Sequence, residues 1–118
     1  MLIRIDTESD VPLFAQVASA IRAEAVNGRL KAGDRLPPAR EVASALGINV
    51  HTVLRGYQEL RDEGLIDMRR GRGAVLTDAV KPLTQLHEDI LALSQRAREL
   101  GMPPETLAAL VKEIARDH

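Results

Sequence analysis

The feature that most constrains the fold is the order of helix and turn signals across residues 36–76. Pro37-Pro38 opens one helical segment, Gly47 can end it in a left-handed turn, and Asn49 is a suitable N-cap for the next helix. Another glycine ends that helix, and two short strand-like segments then flank Arg70-Gly71-Arg72-Gly73. This order predicts a winged helix-turn-helix, which is mainly α with a small β-hairpin.

Composition supports packed helices. The chain has 118 residues, of which 45% are hydrophobic but only 2% aromatic, so the core must consist of Leu, Ile, Val and Ala. The absence of cysteine excludes disulfides and cysteine-ligated zinc. The sequence has no long apolar run and no basic-then-apolar N-terminus, so we expect a cytoplasmic protein that is neither secreted nor inserted in a membrane.

Charge is segregated along the chain although the net charge is only -1. Residues 29–73 hold nine Lys and Arg against six Asp and Glu, a net charge of +3, whereas each flank is -2. The positive excess therefore lies on the segment that resembles a DNA-reading unit. A nearly neutral total predicts modest non-specific DNA affinity and favours binding by a dimer at two sites.

Apolar spacing predicts the core. Residues 2–6 could form a short strand, and Pro12 opens a helix that Asn27-Gly28 ends. The first helix carries a core-facing stripe of Phe14, Val17, Ala18, Ile21 and Ala25. The next two contribute Val42, Ala43, Leu46 and Ile48, and then Val53, Tyr57 and Leu60.

The third helix is the candidate recognition helix, because the first turn of such a helix approaches base edges in the major groove. Its first turn holds Asn49, Val50, His51 and Thr52, and Arg55 follows one turn later on the exposed face. Each residue also has a purely structural interpretation. Asn49 and Thr52 can act only in capping the helix N-terminus, His51 can be exposed without contacting DNA, and Arg55 can form an ion pair with Glu59.

Two further groups complete the candidate interface. Arg40, at the front of the second helix, is expected to contact the sugar–phosphate backbone, although an ion pair with Glu41 or Asp34 is the alternative. Arg70, Gly71, Arg72 and Gly73 are expected at the tip of the wing, where glycines permit close approach and arginines suit phosphates or a narrow minor groove. The alternative is an ordinary solvated hairpin.

The motifs of residues 11–77 resemble the GntR family of bacterial transcription regulators. The likeness rests on PLFxQ, GDRLP, the Leu-Gly pair at the crease, the Thr-Val pair in the third helix, EGLI and RGRG. The turn INVHTV, the tyrosine in RGYQEL and the short tail most resemble the YtrA subfamily. This resemblance implies a homodimeric repressor on a pseudo-palindromic operator, and it hints at a transporter operon. Arg40 matches the arginine of the family's second-helix motif, which contacts DNA. Thr52 matches the second threonine of the usual recognition turn, and Gly71 and Gly73 match the wing glycines.

The chain also departs from the family pattern. Many members have arginine where Val50 and Leu54 stand, so their base-contact rules should not be transferred to this chain. Pro38-Ala39 replaces the common Ser-Glu pair, which removes a polar partner at the helix start and leaves Arg40 in place.

The tail is predicted to form two dimerising helices. We expect a DNA-binding domain over residues 1–77, a linker over residues 78–82, and a helical dimerisation tail over residues 78–118. Apolar residues at heptad spacing precede a break at residues 101–104 and a last helix. This stripe can pack on its own domain, but a lone helix pair has little to bury against, so we favour a dimer. The candidate interface residues are Leu83, Leu86, Ile90, Leu93, Ala97, Leu107, Leu110 and Ile114.

Other chemistry has little support. No nucleophile–base pair or phosphate-binding glycine loop stands out, so we expect no enzyme and no cofactor. Consecutive His87-Glu88-Asp89 cannot converge on one metal ion. Binding of a small-molecule effector between the tail and the DNA-binding domain is a further alternative, but no group of residues in the sequence marks a site for it. The main alternative function is a winged-helix protein-interaction module that docks an acidic partner.

Overall fold

The computed structural model describes residues 3–117, and its element order confirms a mainly α fold with one hairpin. In chain order the elements are α1 (Leu13–Val26), α2 (Ala39–Leu46), α3 (Val50–Asp62), β1 (Ile66–Arg69), β2 (Gly73–Leu76), a 3₁₀ turn (Asp78–Val80), α4 (Lys81–Glu99) and α5 (Pro104–Asp117). Within residues 3–117, no helix has the length and apolar character that crossing a membrane requires.

The chain divides into two compact units, and the boundary falls between Thr84 and Gln85. The predicted linker over residues 78–82 is wrong, because this stretch forms the 3₁₀ turn and the start of α4. The stretch is ordered because its apolar side chains are buried: Val80 is 4% exposed, and the nearby Leu83 packs against the core of the first unit. The Thr84 hydroxyl also donates to the Ala25 carbonyl at 3.1 Å, so the first unit extends into α4.

The three helices of the first unit meet in a core that follows the predicted stripes closely. Val17, Val53, Tyr57 and Leu60 are at most 2% exposed, and Ile48 packs against the same cluster from the turn between α2 and α3. The remaining buried members from these helices are Ala18, Ile21, Ala25, Val42 and Ala43. The spacing of apolar residues therefore predicted the inward faces of all three helices.

The N-terminal segment and Phe14 depart from the predictions. The predicted strand is absent from residues 3–6, and Leu2 lies outside the described residues. The Gln16 side chain fastens this segment instead: its Oε1 accepts from the Asp6 amide at 2.7 Å, and its Nε2 donates to the Asp6 carbonyl at 2.9 Å. Phe14 is half-buried at the start of α1 and lies outside the core cluster, contrary to its predicted place in the stripe.

Helices α1 and α3 approach each other closely at Gly56. A Cβ atom on this residue would lie 2.9 Å from the Phe14 carbonyl oxygen and 3.2 Å from the Val17 side chain. Because both contacts are shorter than ordinary van der Waals packing, only glycine fits here without a shift of the backbone. This contact fixes the first turn of α1 against the middle of α3.

The hairpin has an additional paired edge that the sequence did not suggest. Strands β1 and β2 are antiparallel, with Ile66 opposite Leu76 and Arg69 opposite Gly73. The segment predicted as a connector pairs with β2 through an antiparallel bridge between Arg35 and Val75. The Leu36 amide donates to the Ala74 carbonyl and the Leu76 amide donates to the Asp34 carbonyl, both at 2.8 Å.

The second unit contains the remainder of α4 and all of α5. The predicted break between them is confirmed, since α4 ends at Glu99 and α5 begins at Pro104. The Met102 amide donates to the Ala97 carbonyl at 2.8 Å and closes the end of α4. In the described part of this unit Ala97 is the only buried residue, whereas large apolar side chains on both helices are about half exposed.

Candidate nucleic-acid interface

The first turn of α3 is organised by Asn49. Its side-chain Oδ1 accepts from the His51 amide at 2.8 Å, which confirms the predicted N-cap, and its carbonyl accepts from the Thr52 amide at 3.0 Å. The cap holds this turn in helical geometry from its first residue. His51 then faces solvent, while Val50 and Thr52 are half-buried.

Arg55 is exposed one turn later, and its guanidinium lies over the Phe14 ring, 3.8 Å from the ring centroid. The alternative ion pair with Glu59 is not formed. The Glu59 carboxylate instead lies 3.9 Å from the Arg22 guanidinium, which also contacts Glu63 at 2.7 Å. Arg55 is therefore held by an aromatic face, and no carboxylate within the described chain neutralises it.

Arg40 is exposed in the first turn of α2. Neither predicted alternative ion pair is present among residues 3–117. Asp34 instead accepts from the Lys31 amide at 2.8 Å and closes its own turn. Arg40 thus keeps its full charge available at the surface, beside Ser44 and Ala45 in a shallow depression.

The wing tip is a three-residue loop. The Arg72 amide donates to the Arg69 carbonyl at 3.1 Å, and Gly71 and Gly73 adopt φ angles of 82° and 72°. These left-handed angles are accessible to glycine at little cost, which explains its presence at both positions. Arg69 pairs with Asp67 at 3.3 Å, whereas Arg70 and Arg72 have no carboxylate within 4.0 Å in the described chain.

A groove of about 280 Å³ places the wing beside α3. Its walls include Gly71, Arg72 and Gly73 from the wing and Leu54 from α3. Residues 35–39, which lead into α2, line a third side. The other predicted DNA contacts lie outside this lining: Arg40, Asn49, Val50, His51, Thr52, Arg55 and Arg70. The structure therefore joins the wing, α3 and the start of α2 around one depression.

Tyr57 fixes the approach to α2. Its hydroxyl donates to the Pro37 carbonyl at 2.7 Å from a side chain that is 2% exposed. Burial, with a smaller contribution from the negative charge of Glu41, raises the pKa of Tyr57 to about 12. The neutral phenol thus remains a hydrogen-bond donor at physiological pH and holds the segment before Arg40 against α3.

Sequence reasoning missed three residues at this surface. Arg35 pairs with β2 and lines the groove, so it adds a cation beside the wing. Leu54 lines the same groove, although the sequence suggested it only as a departure from the family pattern. Phe14 carries the Arg55 guanidinium. The GDRLP motif contains Arg35, but pairing between residues 40 positions apart left no local signal.

The eight residues predicted to form the dimer interface differ in how exposed they are. Leu83 belongs to the first unit, Ala97 is 6% exposed, and Leu107 is half-buried. The other five are between 42% and 54% exposed in the single chain: Leu86, Ile90, Leu93, Leu110 and Ile114. Within residues 3–117, no group of three or more His, Cys, Asp or Glu side chains could hold a metal ion.

Known proteins resemble this chain in sequence and in fold. The HTH-type transcriptional repressor YtrA of Bacillus subtilis (strain 168) is 33% identical, and the match covers 98% of this chain and 94% of that protein. YtrA from Sulfolobus acidocaldarius, a GntR-family transcription factor, superimposes with a TM-score of 0.63 at 36% identity, over 84% of this chain and 99% of that one.

A GntR family transcriptional regulator from Listeria monocytogenes gives a TM-score of 0.65 at 32% identity, over 92% of this chain and 98% of that one. Residues 13–76, more than half of the chain, match the family described as bacterial regulatory proteins, gntR family. The chain therefore belongs to the gntR family of bacterial regulatory proteins.

Proposed function

We propose that this gntR-family DNA-binding regulator is a cytoplasmic homodimer that represses transcription from a pseudo-palindromic operator. The observation that carries this proposal is the groove between the wing and α3, whose lining includes Arg35 and Arg72. Neither arginine contacts a carboxylate within residues 3–117. A helix and an adjacent β-loop of this kind can occupy the major groove and the neighbouring minor groove of one duplex.

Each element has its own role in this proposal. Arg40, Arg70 and Arg72 contact phosphates, because they are exposed and free of carboxylate partners within the described residues. Val50, His51 and Thr52 approach base edges from the capped first turn of α3. Gly71 and Gly73 let the wing backbone come close to the duplex.

The second unit provides the argument for a homodimer. Leu86, Ile90 and Leu93 follow heptad spacing on α4 and are 48–54% exposed in the single chain. Leu110 and Ile114 repeat this exposure on α5. An apolar surface of this kind is unfavourable in water, and heptad spacing matches a second helix of the same type. A second copy of this chain is the occupant that this pattern fits.

The repressor assignment rests on similarity to the Bacillus subtilis relative, an HTH-type transcriptional repressor. Regulation of a transporter operon rests only on the family resemblance. Selection of bound fragments from the source genome, followed by measurement of transcript levels with and without the regulator, tests both assignments. Increased transcription from the bound promoter after deletion supports repression, and decreased transcription contradicts it.

DNA recognition is tested by titrating the full chain against a selected genomic duplex and a random duplex of equal length. Because counterion release accompanies each phosphate contact, Arg40→Ala and Arg72→Ala should each reduce the slope of log affinity against log salt by about 0.9 per lost contact. Arg69→Ala is the matched control, since Asp67 already neutralises this side chain, and its effect should be smaller.

Unchanged affinity in both Arg40→Ala and Arg72→Ala would contradict the proposed interface. Equal affinity of the wild-type protein for selected and random duplexes would contradict sequence-specific recognition. That result, combined with capture of an acidic protein on the same arginines, would favour the protein-interaction module.

A further inference from the structure

Arg55 differs from the ion-paired arginines of the first unit in what holds it. Arg22, Arg29 and Arg69 contact carboxylates, whereas the Arg55 guanidinium lies over the Phe14 ring at 3.8 Å from its centroid. Phe14 is the only phenylalanine in the chain, and it is half-buried and outside the apolar core. Core packing alone therefore does not account for this ring.

The packing of α1 on α3 sets the surroundings of both Phe14 and Arg55. Phe14 belongs to the first turn of α1, and its carbonyl oxygen faces Gly56 at a distance that leaves no room for a Cβ atom. On the side toward the end of α3, Arg22 contacts the Glu59 carboxylate and diverts it from Arg55. The close approach of α1 and α3 thus brings Arg55 to an aromatic face and removes its nearest alternative partner along the helix.

We propose that Phe14 is a positioning residue that holds Arg55 ready to bind a DNA backbone phosphate. This inference rests on the DNA recognition proposed above. Stacking uses the face of the guanidinium and leaves its N–H groups, which point outward in the plane, free to donate. An arginine that is already ordered loses less side-chain freedom on binding than a mobile one. The ring thereby strengthens a phosphate contact without itself touching DNA.

Four variants test the proposal on a duplex selected from genomic fragments: Phe14→Leu, Phe14→Tyr, Arg55→Ala and the Phe14→Leu/Arg55→Ala double variant. Phe14→Leu should weaken binding about two- to fivefold, the range expected for loss of an exposed cation–π contact. Phe14→Tyr keeps the aromatic face and should bind DNA with wild-type affinity. Arg55→Ala should reduce the salt slope by about 0.9, as expected for one lost phosphate contact.

The double variant is the decisive measurement. If Phe14 acts through Arg55, adding Phe14→Leu to Arg55→Ala causes no further loss of affinity. Additive losses, or an unchanged salt slope in Arg55→Ala, would overturn the inference. Arg61→Ala, which removes an exposed cation near the end of the same helix, is the charge control and should change affinity less than Arg55→Ala.

A measurement without DNA separates this inference from the proposed function. The Arg55 side-chain protons should show an upfield ring-current shift in the NMR spectrum of the free protein, and Phe14→Leu should abolish it. Absence of that shift in the wild type would overturn the inference even if DNA binding is sequence-specific. If the wild type shows no preference for selected over random duplex, the proposed function fails first, whatever the shift shows.

Discussion

The two units have similar apolar spacing along their helices, but they differ in how much of the apolar surface is buried within the chain. In the first unit the apolar stripes of α1 and α3 are enclosed, and the exposed fraction of Val17 and Val53 is 0%. In the second unit, residues with equally regular helical spacing, such as Ile90 and Ile114, are 54% and 53% exposed. Apolar periodicity therefore predicts which face of a helix will be covered, but it does not tell whether the same chain covers it.

This difference in burial suggests that the first unit provides a stable core and the second unit provides a surface for assembly. The first unit contains enough buried side chains to hold the arginine-bearing surface in a defined shape. The second unit buries only Ala97 among its described residues, and in the homodimer proposed above a second copy of the chain covers its apolar faces. We therefore expect substitutions in the core of the first unit to change stability, and substitutions on the apolar face of the second unit to change assembly.

The largest effect is expected from Ile90→Glu, which places a charge in the centre of the proposed dimer contact. Loss of the dimer removes simultaneous binding to two half-sites, so affinity for the full operator should fall by about 10²- to 10⁴-fold. Sedimentation velocity should show a monomer, whereas affinity for an isolated half-site should change little.

Gln95→Glu is the matched control on α4, because this position lies on the far side of the heptad from the apolar stripe. It introduces the same charge and should leave a dimer. A dimeric Ile90→Glu protein with wild-type operator affinity would show that the exposed stripe has another purpose.

Leu60→Ala and Leu100→Ala compare the regions directly. Leu60 is 1% exposed and Leu100 is 69% exposed. Leu60→Ala should lower the free energy of unfolding by about 2–5 kcal/mol, because it leaves a cavity in the core. Leu100→Ala should change it by less than about 0.5 kcal/mol, as is usual for exposed positions.

Urea denaturation followed by the fluorescence of Tyr57, the single tyrosine, reports on the first unit in both proteins. Equal destabilisation by the two substitutions would contradict the difference in burial on which the comparison depends.

Much of the first unit could be predicted because its signals are local. The Asn49 cap, the left-handed Gly47 and the glycines of the wing are read from a few neighbouring residues, and the structure has each of them. The stripes of α1, α2 and α3 follow from spacing alone. Fold class and the order of elements therefore needed no knowledge of contacts between distant residues.

The errors arise where distant residues decide the structure. Phe14 fits the α1 stripe by spacing, but its place under Arg55 depends on contact with α3, which is distant in the sequence. Residues 78–82 have a composition typical of linkers, yet burial of Val80 against the first unit orders them. The bridge between Arg35 and Val75 likewise joins segments with no shared periodicity.

Gly56→Ala tests the close packing of α1 on α3. Helix propensity alone predicts that this change stabilises the protein by about 1 kcal/mol. The added Cβ atom would meet the Phe14 carbonyl at 2.9 Å, so we expect destabilisation of about 1–3 kcal/mol instead. Thermal unfolding by circular dichroism gives the sign, and a rise in Tm would refute the close approach of the two helices.

Tyr57→Phe is expected to have the smallest effect at neutral pH, and the sign of that effect depends on pH. Loss of the hydrogen bond to Pro37 should lower the free energy of unfolding by about 0.5–1.5 kcal/mol. The folded-state pKa of Tyr57 is raised from 10.0 to about 12, so this stabilisation is fully present below pH 10 and is lost as pH rises toward 12. In that window the wild type loses up to about 1.4 kcal/mol of stability per pH unit relative to Tyr57→Phe, because lysine and arginine titrate equally in both proteins.

Urea unfolding followed by far-ultraviolet circular dichroism should therefore show the wild type as the more stable protein at pH 8 and the variant as the more stable one near pH 12. A constant difference between the two proteins across this range would mean that the phenol is accessible to water, and that the segment before α2 is not held against α3 by a buried donor.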